Sequence, residues 1–243
     1  MKDRDNFYDW YNAYFRVDFD LEVQANGADI AEDTRSAPIN GSFSLVQSLT
    51  VKSAEKKLYE ANNINKVIFI KNLLDVSDDF SRSVAKNHFW YLDNADDTVV
   101  AEAAPAKNLG MRARAILSDQ GKTVHSIIPL NRYSFFESLS DRLLPPLQFE
   151  FEIKLQDDEE MIWQNDGTAR RIVVRKFELW VPQLHFTGQG ETLVNENFLK
   201  PTQLKYLQES LTQSSARRDA NGRWLITPGI KNPKHVFVFI QQT

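Results

Sequence analysis

The sequence predicts an all-β chain: a β-sandwich with one or two short helices in its crossovers. Three observations carry that prediction. Two nine-residue stretches, Phe15–Val23 and Leu147–Leu155, alternate apolar and polar residues without a break, which is the period of a strand with one buried face. A helix would scatter the same apolar residues around its circumference. Turn pairs punctuate the chain between such runs, at Asn26-Gly27, Asn40-Gly41, Gln120-Gly121, Asp166-Gly167 and Asn221-Gly222. Finally, the 243 residues hold 16 Phe, 7 Tyr and 5 Trp, 12% aromatic in all, and such side chains favour pleated surfaces over a thick apolar core.

Phe15–Val23 is the first expected strand. Phe43, Leu45, Leu49 and Val51 share one parity, interrupted at Gln47, and predict the next. Met111, Ala113, Ala115 and Leu117 predict another, with Arg112 and Arg114 together on its opposite face. Thr123–Leu130, Leu147–Leu155, Glu160–Trp163 and a run carrying Val173, Phe177, Leu179 and Val181 follow. Arg223–Ile226 and His235–Ile240 complete a series of roughly nine strands. Helical spacing is confined to Ile64–Val76, Ser134–Leu144 (closed by Pro145-Pro146) and Pro201–Leu211. Uneven strand spacing with long irregular connections suits Greek-key or jelly-roll wiring better than a meander.

The polar stretch after Trp180-Val181-Pro182 predicts a boundary. Residues 1–183 are expected to form one jelly-roll sandwich, and residues 184–243 a linker, a short helix and the first strands of an incomplete second domain. That remainder is too small to build its own core, and its VFVFI run is apolar on both faces and needs covering on both.

Composition excludes several function classes. With no Cys there is no disulfide framework, Cys-ligated zinc or thiol nucleophile. Lys+Arg 29 against Asp+Glu 33 leaves a net charge of −4, and the basic pairs Arg170-Arg171, Arg175-Lys176 and Arg217-Arg218 are short, so no strong nucleic-acid signal stands out. No apolar run reaches the length of a membrane span, and MKDRDNFYDW is too polar for a signal peptide, so a non-secreted protein is expected.

His88, His125, His185 and His235 are far apart, without the HxH or HExxH spacing of a metal site. Asp157-Asp158-Glu159-Glu160 lacks the alternation and glycine of a calcium loop and reads as a solvated turn. Asp93, Asp96 and Asp97 are carboxylates in a turn for which the sequence identifies no partner base. GxSxG is absent, and Gly188-Gln189-Gly190 has no GxxG continuation. The expectation is a non-enzymatic protein without metal or cofactor.

The order of segments carries more information than any one motif. Pro38-Ile39-Asn40, Phe43-Ser44-Leu45 and Asn72-Leu73-Leu74 come first, then NHFWYLDNADD. Asn108-Leu109-Gly110 with Arg112, Gly121-Lys122-Thr123-Val124 and Ile128-Pro129-Leu130 follow. Then come Leu147–Leu155 with Asp157-Asp158 and Ile162, Glu178-Leu179-Trp180-Val181-Pro182, and finally Asn232-Pro233-Lys234-His235-Val236-Phe237-Val238-Phe239. In this order the chain resembles the major capsid proteins of the double jelly-roll lineage, as found in Polinton/Maverick transposons and adintoviruses. It departs from the family in having Ser53-Ala54-Glu55-Lys56 where an Asn-Gly-Lys turn is usual.

The resemblance implies a viral-capsid type of jelly roll and a structural protein of the virion. Its partners would be itself, as a homotrimer with a pseudo-hexagonal outline in an icosahedral lattice, and other capsid proteins. Shell assembly needs broad complementary surfaces, and large interfaces favour aromatic residues. Aromatics that break the inward parity are therefore the candidate subunit contacts: Tyr8, Trp10, Tyr14, Trp163 and Trp180. The alternative is a jelly-roll binding module for carbohydrate or a protein partner, with exposed Trp and Tyr as its platform.

Overall fold

In the computed structural model, which describes residues 7–31, 36–93, 108–164, 167–198 and 205–206, the chain divides into two units. They are Met1–Leu211 and Thr212–Thr243. All the described residues belong to the first. The expected strands Arg223–Ile226 and His235–Ile240, together with Asp96, Asp97, Arg217-Arg218 and His235, lie outside them. So does the expected helix Pro201–Leu211, apart from residues 205–206.

The alternation at Phe15–Val23 becomes β2 (Tyr14–Val23), preceded by the two-residue β1 (Phe7–Tyr8). Phe15, Val17, Phe19 and Leu21 of β2 are buried. β2 is the centre of an antiparallel sheet, flanked by β6 (Val124–Pro129) and β9 (Arg170–Trp180). A second antiparallel sheet centres on β4 (Val46–Ser53), with β5 (Lys56–Asn62) and β7 (Glu150–Leu155) on either side. Two small pairs complete the strands among the described residues. β3 (Ser36–Pro38) pairs with β8 (Ile162–Gln164), and β1 pairs with β10 (Gln183–Leu184).

Both three-stranded sheets feed one core. Phe15, Val17 and Phe19 of β2 share it with Val46, Leu49 and Val51 of β4. The sheets meet at an aromatic edge, where Phe15 lies 5.8 Å from Phe151 in a T-shaped pair, and Phe136, from the segment after β6, stacks on Phe151 at 6.0 Å. Each such contact contributes roughly 0.5–1.5 kcal/mol beyond the area it buries. The Phe excess is thus spent largely inside.

The architecture is mixed rather than all-β. Among the described residues, helices α1 (Ile64–Asp75), α2 (Asp78–Arg82), α3 (Leu109–Ser118), α4 (Ser134–Glu137), α5 (Asp158–Met161) and α6 (Gly188–Phe198) stand between the strands. α1 fulfils the expectation for Ile64–Val76. α4 is much shorter than the expected Ser134–Leu144, although Phe135, Phe136 and Leu139 are all buried.

α3 corrects a strand prediction. Met111, Ala113, Ala115 and Leu117 satisfy period two, but the buried set is Gly110, Met111, Arg114, Ala115 and Ser118, which is helical spacing. Asn108 starts the helix, its Oδ1 accepting from the Met111 N–H at 3.1 Å. Arg112 and Arg114 therefore do not share a face: Arg112 is exposed and Arg114 buried.

Three smaller differences have local causes. Phe43 and Leu45 lie in a 3-10 turn (Ser42–Leu45), not a strand. The ladder passes from Val46↔Leu155 to Ser48↔Lys154, so Gln47, the residue that breaks the parity, is a β-bulge. The Gly-containing stretch after Pro182 becomes α6 beginning at Gly188, where the sequence predicts a linker. Tyr206 also packs within the first unit.

Candidate functional site

The outer face of the β6-β2-β9 sheet is the surface the sequence makes most unusual. Alternation puts Tyr14, Arg16, Asp18, Asp20 and Glu22 of β2 on this face. Opposite them on β9 stand Trp180, Glu178, Lys176, Val173 and Arg171, and His125 of β6 stands beside Asp18.

The β9 register slips once, from Asp18↔Lys176 to Phe19↔Val174, which leaves Arg175 as an extra residue. That bulge aims Arg175 across β2. Its Nε donates to Asp20 Oδ2 at 2.6 Å and its terminal nitrogen to Glu22 Oε1 at 2.5 Å. Arg171 reaches Glu22 Oε2 at 2.9 Å, Arg16 reaches Asp18 at 3.2 Å, and Lys176 reaches Glu178 at 3.1 Å. The bulge also corrects the expected parity: Val173 lies on the outer face, whereas Phe177 and Leu179 pair with inward-facing Val17 and Phe15.

These pairs set the charge states on the face. Burial alone would raise the Asp18 carboxyl, but hydrogen bonds from His125 and Arg16, with their charges, outweigh it and hold the group below its usual value. Lys176, then Trp180 Nε1 at 3.2 Å, lower Glu178. The Asp20 hydrogen bond raises Arg175. The charged part of the face is therefore largely paired within itself, which leaves little net charge for an ionic partner.

What the face offers instead is at its end. Tyr14 and Trp180 are opposite one another in the register, with parallel rings and centroids 6.5 Å apart. Trp180 is 49% exposed, and Glu178 holds its indole N–H. A preset, exposed aromatic pair beside a self-neutralised ion-pair ladder suits a packed contact better than chemistry.

The five candidate contacts divide. Tyr14 and Trp180 come together at the surface. Tyr8 and Trp10 are core residues: Trp10 is 6% exposed and packs edge-on against Phe149 at 4.6 Å. Trp163 is half-buried on β8 against Ala37, Met111 and Ala115, away from the pair.

The polar clusters are put to structural use. Asp158 accepts from the Ile172 N–H at 2.9 Å, tying α5 to β9, and Glu160 pairs with Lys66 at 3.0 Å. Among the described residues, no group of three or more His, Asp or Glu side chains is arranged to hold a metal ion. His125 and His185 are exposed, and His88 sits half-buried against Phe80. A cavity beside Phe19, Pro38 and Ser42 holds about 10 Å³, room for roughly one water. No helix among the described residues is long and apolar enough to cross a membrane.

Sequence reasoning missed a second constellation. Arg114 Nε donates to the Pro38 carbonyl at 2.9 Å, and its terminal nitrogens reach the Tyr91 carbonyl and both Asp93 oxygens. Asn40 clamps the same strand-like segment, accepting from the Tyr91 N–H at 2.7 Å and donating to the Tyr91 carbonyl at 2.5 Å. Gly110 sits close to Leu92, where a Cβ would lie 2.2 Å from the Leu92 carbonyl oxygen. Three segments distant in sequence thus meet at one buried guanidinium. The sequence matches no family model, and no curated protein matches it at a significant level.

Proposed function

We propose that this chain is a non-enzymatic shell protein of the double jelly-roll capsid type, viral or transposon-derived. In this reading residues 1–183 form the first roll and the rest begins a second. The protein acts as a homotrimeric, pseudo-hexagonal building block of an icosahedral virion and is assembled inside the host cell.

The observation that carries the reading is the order of the segments that resemble that family. Its physical support is that Pro38–Asn40 and the His88–Asp93 part of NHFWYLDNADD meet at the buried guanidinium of Arg114, which follows Asn108-Leu109-Gly110 on α3. The pairing of the early strand β2 with the late strand β9, and the two antiparallel sheets facing one core, suit a jelly-roll sandwich. The β4–β5 hairpin within one sheet is a departure from alternating jelly-roll wiring.

Mass photometry and electron microscopy of the product of the native reading frame test the proposal. Trimers or particles are expected. A strictly monomeric product at every salt concentration would sink it. The Tyr14–Trp180 pair also favours a second reading, a jelly-roll binding module for carbohydrate or a protein partner. That reading predicts glycan or protein binding by a monomer, lost in Trp180→Ala.

A further inference from the structure

Tyr206 lies beyond α6, and its side chain packs beside β5 of the same unit. Its ring meets Phe135 edge-on at 5.4 Å and Tyr59 at 6.1 Å, and its hydroxyl donates to the Leu58 carbonyl. Both ring partners are buried, Phe135 to 1% exposure and Tyr59 to 2%, whereas Tyr206 itself is 39% exposed.

The acceptor is not an ordinary ladder carbonyl. The β4–β5 register passes from Val51↔Tyr59 directly to Lys52↔Lys57, so Leu58 is the bulge residue and has no partner across the ladder. β5 is also the edge of its sheet. A bulge thus presents a carbonyl at the rim of an aromatic floor. A phenol fits both: its ring has the floor to pack on, and its para hydroxyl reaches the carbonyl.

We propose that Leu58, Tyr59 and Phe135 form a tyrosine socket whose occupant is Tyr206 of the same chain, and that this side chain fastens the chain at residue 206 to the β5 edge. Tyr206 is a latch rather than a core residue: it keeps 39% exposure while its ring meets the aromatic floor and its hydroxyl holds the Leu58 carbonyl. This inference stands apart from the shell reading and holds for a monomer as well as for an assembled particle.

The test uses the full chain as wild type, Tyr206→Phe and Tyr206→Ala. Lys205 is exposed, so limited trypsin digestion reports directly on whether the Lys205–Tyr206 bond can leave the surface. Cleavage there is expected to be at least about tenfold faster in Tyr206→Ala, the ratio that 1.4 kcal/mol corresponds to. Tyr206→Phe should lie between, because it keeps the ring and loses the hydroxyl. A fluorescent peptide of residues 202–210 supplies the second readout. Its binding to Tyr206→Ala, whose socket is empty, should exceed its binding to wild type, and a Phe-containing peptide should bind more weakly. Equal cleavage of all three proteins, or no peptide binding by a folded Tyr206→Ala chain, overturns the proposal. Should Tyr206→Ala not fold, the Tyr206→Phe cleavage rate decides: a rate equal to wild type rejects the hydroxyl as the latch.

Discussion

Arg114 is buried to 2% side-chain exposure and paired with both oxygens of Asp93, at 2.9 and 3.1 Å. A guanidinium placed so deep is tolerable only while its donors are matched, and here the Pro38 and Tyr91 carbonyls share the task. Arg114→Ala leaves a cavity and an unmatched carboxylate and carbonyls. It is expected to lower stability by roughly 3–5 kcal/mol in urea unfolding. Asp93→Asn keeps the shape and some hydrogen bonding, and the Asp93 side chain is 37% exposed, so its cost should be smaller, about 1–2 kcal/mol. Equal losses would show that the ion pair, not the carbonyl clamp, dominates. Gly110→Ala should approach the Arg114→Ala value, because the backbone at Leu92 cannot easily move away from a Cβ.

Arg175 gives a prediction about sign rather than size. It is exposed, so its pairing with Asp20 and Glu22 should respond to salt. Arg175→Glu sets a third carboxylate against the acids of β2. A lower melting temperature is expected at low ionic strength, with much of the loss recovered at high salt. A salt-independent loss would mean that the bulge geometry, not the charge, holds β9 in register.

How legible all this was in the sequence depends on how uniform each face is. Phe15–Val23 was readable because every inward position is apolar and every outward one charged, so only one period fits. The bulge at Arg175 left a trace that is visible afterwards: apolar parity switches from Ile172 and Val174 to Phe177 and Leu179. Met111–Leu117 misled because alternating Ala and Arg satisfy period two while Gly110, Arg114 and Ser118 satisfy the helical period equally. The Asn108 cap is what separates the two. The Arg114–Asp93 pair had no local signal, since neither residue announces a partner 21 positions away. The Tyr14–Trp180 contact was half legible: both residues break the inward parity, but only the β2–β9 register brings them together.

His88 makes stability depend on pH. Burial, with repulsion from Arg132, lowers its pKa from the usual 6.5 to about 4. The unfolded chain therefore binds this proton first as pH falls. The stabilisation is fully present above about pH 6.5 and is lost progressively down to about pH 4. The full shift corresponds to about 3 kcal/mol, which solvent screening at a half-buried ring reduces to about 1–2 kcal/mol. Unfolding free energies measured between pH 7 and 4 should fall accordingly in wild type and flatten in His88→Gln. Arg132→Ala should move the titration of His88, followed by NMR, toward its ordinary value. An unchanged titration would remove Arg132 as a cause.

The two tryptophans Trp10 and Trp180 should separate folding from association. Trp10 lies in the core against Phe136, Phe149 and Phe151, so Trp10→Ala is expected to lose roughly 3–5 kcal/mol of stability. Trp180 rests half in solvent on Tyr14. Removing its ring forfeits one aromatic contact, about 0.5–1.5 kcal/mol. If the outer face of β2 and β9 is where subunits meet, Trp180→Ala with Tyr14→Ala should abolish or sharply weaken self-association in sedimentation velocity, while melting close to wild type. A double variant that assembles normally would place the subunit contact on another face. One that binds a glycan or protein as a monomer before mutation, and not after, would favour the binding-module reading over the shell.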